Sequence, residues 1–217
     1  MERKFHKVTF DRIPEEKRER ILAASLIEFA ANGFKGTNVS TIARAAGISI
    51  GAVYKYFPSK EDLFMTVIDY GYQDLDKVLL EIVGHEGDIF DKIERILRAA
   101  INYSREKPQV IQVYLHCTTE GLPELAKKMS QKIETISARY YRELVAEASR
   151  SGVIAPDIDE GAAAFFLDSL FLIFQFSYAC TYYNERMQIF AGLSADDDET
   201  MISRFMQFVK KGLGAKF

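Results

Sequence analysis

The stretch Thr37-Asn38-Val39-Ser40-Thr41-Ile42-Ala43-Arg44-Ala45-Ala46-Gly47-Ile48-Ser49-Ile50-Gly51-Ala52-Val53-Tyr54-Lys55-Tyr56-Phe57 decides how this chain is read. Asn38 is placed to cap a short helix over 39–46, and Gly47 supplies the left-handed residue that ends it. Ser49 is placed to cap a second short helix that closes before Pro58. Ala43 is small where the two helices must cross closely, and Ile42, Ile48 and Val53 are the apolar contacts that lock their angle. Two short helices about a tight glycine turn make a helix-turn-helix.

Working outward, Pro14 with Glu15 and Glu16 opens a preceding helix in the way helix starts prefer. Ile21, Leu22, Leu26, Phe29 and Ala30 give it one apolar stripe, and Asn32-Gly33 reads as its stop. On the other side, Ser59-Lys60-Glu61-Asp62 has the form of a capping box. It opens a long amphipathic helix whose stripe is Phe64, Val67, Ile68, Gly71, Leu75, Val78, Leu79 and Ile82. Further helices are expected from about 89 to Pro108, from 109 to 120, from 125 to Ser151-Gly152, from 157 to 183, and from the acidic run at 196–199 onward. The spacing of apolar residues by three and four throughout predicts an all-α protein, with three helices in front (1–60) and six behind (61–217).

Composition agrees with a helical, well-packed chain. Of 217 residues, 48% are hydrophobic and 27% charged, which excludes disorder as the dominant state. The net charge of -3 conceals an asymmetry: residues 1–60 hold eleven Lys/Arg against six Asp/Glu, and residues 61–217 hold seventeen against twenty-five. A basic front on an acidic body suggests that only the front meets a polyanion, and a solvated basic face without a partner has the same signature. The basic arm Arg3, Lys4, His6, Lys7 and Arg12 suits either an idle, disordered segment or a minor-groove or phosphate contact.

Cys117 and Cys180 form no CxxC, and His6, His85 and His116 are scattered. Neither a disulfide framework nor a zinc module has its ligands, and a reducing cytosol fits best. No apolar core follows Met1-Glu2-Arg3-Lys4, so no signal peptide is expected. The most membrane-like run, 162–180, is interrupted by Asp168, Ser169, Gln175 and Ser177 and reads as a helix buried in protein. No metal cluster, glycine-rich phosphate loop or paired-carboxylate site is discernible, so an enzyme is not expected, nor is a cofactor.

The residues 37–57, followed by Ser59-Lys60-Glu61-Asp62-Leu63, resemble the DNA-binding signature of the TetR family of transcriptional regulators. The resemblance is detailed over roughly 14–65 and rests elsewhere on length and the run of helices. It implies a DNA-binding front domain (1–60) and a ligand-binding and dimerisation body (61–217), with the last two long helices forming a four-helix dimer interface. By resemblance, the second helix of the motif enters the major groove with Ser49, Ile50, Gly51, Ala52, Tyr54 and Lys55 at or near DNA, while Ser40, Thr41, Arg44, Tyr56 and Lys60 meet phosphates. Arg44, Lys55 and Lys60 have the charge for this, and Ser40, Thr41 and Tyr54 the hydroxyl donors. Gly51 and Ala52 permit close approach, and an Ala methyl can meet a thymine methyl. Ile50 stands where a polar residue is common, which leaves few hydrogen-bonding side chains for base edges.

Nine of the thirty residues from 161 to 190 are aromatic, too many for one core-facing stripe, so a second face is expected to bury itself against another copy. The resemblance further implies an effector cavity in the body. Its candidate liners are Tyr103, Tyr114, His116, Cys117, Tyr140, Phe166 and Phe174, large and mostly apolar with a few polar ends. The expected protein is a cytoplasmic homodimeric repressor that binds double-stranded DNA at a palindromic operator and is released by a small, largely apolar effector. An activator, or an architectural dimer without a ligand, shares the same fold.

Overall fold

The computed structural model describes residues 4–119, 123–194 and 196–214. Eleven α-helices are found among them: α1 (Val8–Asp11), α2 (Glu15–Gly36), α3 (Val39–Ala45), α4 (Ile50–Tyr56), α5 (Lys60–Val83), α6 (Ile89–Glu106), α7 (Pro108–Thr119), α8 (Pro123–Arg150), α9 (Glu160–Ala179), α10 (Thr181–Ala191) and α11 (Asp198–Gly212). There is no strand among the described residues. The all-α expectation holds, and α1 and α10 are additions to it.

The chain divides into two compact units. One comprises residues 1–74 and 109–129, the other residues 75–108 and 130–217. α7 and the start of α8 group with the N-terminal helices.

In the first unit, Ile21, Phe29, Ile42, Phe57, Leu63, Phe64 and Met65 are fully buried. Each such side chain contributes roughly 1.5–3 kcal/mol on leaving water. Phe64 meets Phe29 edge-on with centroids 4.9 Å apart, and Phe34 at 5.3 Å. The expected stop at Asn32-Gly33 is a kink: Gly33 has φ 64° and ψ -177°, and helical structure resumes as far as Gly36. The hydroxyl of Thr37 donates to Gly33 O at 2.6 Å, satisfying a carbonyl that the kink frees. Gly71 stands in the apolar stripe of α5 for a steric reason. A Cβ there would lie 2.9 Å from Cγ1 of Val110 on α7, so only glycine lets these helices approach this closely.

The core of the second unit is built from α6, α8, α9 and α11, with Ile93, Leu97, Ile101, Leu144, Val145, Leu167, Phe171, Phe174, Ile202 and Met206 at its centre. Asp88 opens α6 with a reciprocal capping box to Asp91. Arg98 on α6 pairs with Glu199 and Arg105 with Asp198, both on the first turn of α11. These acids also sit at the positive end of the α11 dipole.

The helix expected over 157–183 is broken at Cys180, whose backbone is extended (φ -132°, ψ 125°). α9 is the one helix among the described residues long and apolar enough to cross a membrane, and its inner face is occupied by the core of its unit. Its opposite face is open, with Phe165, Phe166 and Ile173 exposed. Tyr182, Ile189 and Phe190 of α10 and Phe208 of α11 are exposed as well.

Candidate nucleic-acid interface

The two helices of the motif are joined as their sequence directs. Asn38 Oδ1 accepts from the Ser40 N–H at 2.9 Å and caps α3. Gly47 takes φ 65°, and the Ile48 N–H returns to Ala43 O at 2.9 Å, a closing pattern that satisfies the last carbonyls of α3. Arg20 of α2 donates to Ala46 O at 2.9 Å and fixes the turn from behind. Ser49 Oγ then accepts from the Ala52 N–H at 3.1 Å and caps α4. Ile42, Ala43 and Val53 are buried between the helices.

With Val53 and Tyr56 held inside, the helical period turns the opposite side of α4 outward. Ile50 is 46% exposed and Tyr54 44%, and Ser49, Gly51 and Lys55 are exposed beside them, with Ala52 half-buried. On α3, Arg44 and Ser40 are exposed and Thr41 is half-buried. These residues form a small, one-sided surface with basic, hydroxyl and small apolar members. Such a face can approach a polyanion closely without burying an unpaired charge.

Two expected contact residues are placed differently. Tyr56 is buried: it shares the inward side of α4 with Val53, and its ring packs against Phe10 at 5.8 Å, with the Lys17 ammonium 5.9 Å from the ring centre. Lys60 is turned toward the end of α2, donating to Thr37 O at 2.6 Å and Lys35 O at 3.3 Å, with its ammonium 5.0 Å from the Phe34 ring. It caps carbonyls that the helix end leaves open. Sequence reasoning missed Thr9 and Phe10. Of the two, only Phe10, which with Phe5 is one of two aromatics in a largely polar arm, carried a signal of burial.

The seven candidate effector residues do not gather in one unit. Tyr114, His116 and Cys117 lie on α7 in the first, whereas Tyr103, Tyr140, Phe166 and Phe174 lie in the second. Cys117 is buried, Tyr114 half-buried, and His116 bonds Ala30 O. Tyr140 and Phe174 are core residues, and Tyr103 is half-buried with Lys107 over its ring. Phe166 is 61% exposed, whereas Phe174 is 7% exposed, so Phe166 lies outside the packed interior of its own unit. The polar interruption at Asp168 is half-buried. Burial, and then the nearby carboxylate of Glu134, push its pKa up to about 6. Among the described residues no three His, Cys, Asp or Glu side chains converge as a metal site.

A family model described as bacterial regulatory proteins, tetR family, matches residues 21–67, and one described as tetracyclin repressor-like, C-terminal domain, matches residues 87–214. The HTH-type transcriptional regulator RutR of Escherichia coli K12 is 30% identical over 142 residues, a match that spans 64% of this chain and 65% of RutR. A TetR family transcriptional regulator from Chloroflexus aurantiacus is 25% identical and superposes with a TM-score of 0.69, covering 96% of this chain and 98% of its own. The transcriptional regulator FadR of Bacillus subtilis, in complex with stearoyl-CoA, has the same fold at 18% identity, with a TM-score of 0.70 over 85% of this chain and 95% of its own. The helix-turn-helix, its outward face and the two family models agree: this chain belongs to the TetR family of DNA-binding transcriptional regulators.

Proposed function

We propose that the protein is a homodimeric repressor of the bacterial cytoplasm that holds a palindromic operator through α4 and releases it on binding a small, largely apolar effector. The observation that carries this reading is the outward face of α4. Ser49, Ile50, Gly51, Tyr54 and Lys55 are exposed on one side, while Val53 and Tyr56 anchor the other. In this reading residues 1–60 are the DNA-binding domain. Ser40, Thr41 and Arg44 meet phosphate with Lys55, Ala52 approaches the bases beside Gly51, and Tyr56 and Lys60 hold the surface from within. Residues 61–217 bind the effector and the second copy.

The open face of α9, carrying Phe165, Phe166 and Ile173, supports the second copy, because aromatic rows of this kind are buried when dimers form. The candidate effector residues are read within each unit by itself: Tyr103, Tyr140 and Phe174 in the second and Tyr114, His116 and Cys117 in the first are large and mostly apolar, as such an effector needs. The FadR of Bacillus subtilis is in complex with stearoyl-CoA, a ligand with a long apolar chain. α5 follows α4 after three residues and belongs to both units, which suits it to carry the effector's influence to the DNA.

The test begins by selecting duplexes from a random pool with the purified protein; an inverted repeat, with half-sites about one helical turn apart or a multiple of that, is expected. Long-chain acyl-CoA is then titrated with and without the selected duplex. Couplings of about 1–3 kcal/mol change operator affinity roughly 5- to 150-fold, and by reciprocity change acyl-CoA affinity equally. An asymmetric single half-site bound at full affinity refutes the dimer reading, and equal acyl-CoA affinities in both titrations refute release by this ligand.

A further inference from the structure

α4 has two turns and contains Gly51 beside the β-branched Ile50 and Val53, so it has little intrinsic tendency to stay helical. Its first turn is capped by Ser49. At its other end the Phe57 N–H takes Val53 O, which leaves the carbonyls of Tyr54, Lys55 and Tyr56 without amides of the helix to receive. All three are met from one place. The Lys7 N–H donates to Tyr56 O at 2.9 Å, Thr9 Oγ1 to Lys55 O at 3.1 Å, and Lys7 Nζ to Tyr54 O at 3.1 Å. The Lys7 charge also lies at the negative end of the α4 dipole.

The donors belong to a segment that is itself fixed. Phe10 is 3% exposed, with ring centroids 4.7 Å from Phe57 and 5.8 Å from Tyr56. Asp11 holds Lys4 at 3.0 Å and His6 at 2.9 Å, and Arg18 of α2 donates to Asp11 O and Ile13 O. The residues ahead of Pro14 therefore cap α4 from outside its own chain segment.

We propose that residues 7–10 are a positioning element for DNA recognition. They hold the last turn of α4 and set the angle of its outer face, so discrimination between sequences depends on a segment that itself touches no base. The inference rests on α4 being the reading helix. Its logic is preorganisation: a two-turn helix that frays in the free protein must be ordered on binding, and only specific binding requires that order.

The experiment uses the full chain and two duplexes of equal length, one selected by the wild-type protein from a random pool and one unrelated. Thr9→Val keeps the side-chain shape and deletes the donor to Lys55 O, and Thr9→Ser restores it. Thr9→Val is expected to weaken the selected duplex about 2- to 10-fold, the worth of one hydrogen bond. It should leave the unrelated duplex and the salt slope unchanged, and Thr9→Ser should match the wild type. A Thr9→Val protein with an unaltered ratio between the two duplexes overturns the proposal. So does a parallel loss on both, because that is how a phosphate contact behaves. If the wild-type protein selects no duplex at all, the reading of α4 falls first and this proposal with it.

Discussion

His116 on α7 donates its Nε2–H to the carbonyl of Ala30 on α2 across 3.1 Å, joining residues 86 apart in sequence. The same unit contains the close passage of Gly71 and Val110 and the ion pair of Lys128 with Glu61. α7 is thus fastened to α2 and α5 of its own unit, and His116 is spent in part on that joint. His116→Ala should remove about 1 kcal/mol, the net worth of such a bond, lowering the thermal midpoint by about 2–4 °C for a chain of this size. Calorimetry decides it: an unchanged midpoint shows that water replaces the imidazole at no cost.

Lys55 and Lys60 are five residues apart and should respond differently. Lys55 is exposed on the open face of α4, whereas the ammonium of Lys60 lies on Thr37 O and Lys35 O. Lys55→Ala should weaken binding to every duplex and make the log–log salt dependence shallower by about one unit for each phosphate that is no longer neutralised. Lys60→Ala should lower the stability of the first unit by about 1–2 kcal/mol and leave the salt slope as it is. Fluorescence titrations at several salt concentrations, paired with urea unfolding, separate the two; a shallower slope for Lys60→Ala contradicts its assignment as an internal cap.

The boundaries of α3 and α4 were legible because their causes are local. Asn38, Gly47 and Ser49 each act on backbone groups within five residues of themselves. α1 was not legible, since its four residues are held by Phe10 against Tyr56 and Phe57 and by donors to α4, contacts that no local pattern announces. Nor was the break at Cys180, where neither Gly nor Pro marks the bend and the freed Ser177 carbonyl is taken by the Asn184 amide. The orientation of the candidate effector residues on α9 was not legible for a related reason. α9 carries large apolar side chains on more than one side, so periodicity cannot say which face is the core, and Phe166 and Phe174 look alike until one is seen outside and the other inside.

That difference between faces yields a test of assembly. Ile173 is 47% exposed on the outer side of α9 and Phe174, next in sequence, is 7% exposed on the inner side. If the outer side meets a second copy, Ile173→Glu should give a folded monomer whose affinity for an inverted-repeat duplex falls by about 100-fold or more, as simultaneous engagement of two half-sites is lost. Phe174→Glu should instead unfold the second unit, because it places a charge in the core. Sedimentation velocity with far-UV circular dichroism distinguishes these outcomes, and an Ile173→Glu protein that remains dimeric moves the interface elsewhere.

Asp168 makes stability depend on pH with a definite sign. Its carboxyl is raised from 3.8 to about 6 by burial and by the Glu134 carboxylate, so the folded chain binds this proton more tightly than the unfolded chain does. Between about pH 4 and 6 the folded state holds more protons, and stability falls as pH rises through that window and levels off above it. A displacement of about two units corresponds to a few kcal/mol at most, so Asp168→Asn should stabilise the protein by about 1–3 kcal/mol at pH 7 and by almost nothing at pH 3.5. Urea unfolding of both proteins at pH 3.5, 5, 6 and 7 measures this. The gap should open through the window and then stay constant, and a gap that is the same at all four values means that Asp168 titrates in the fold as it does in water.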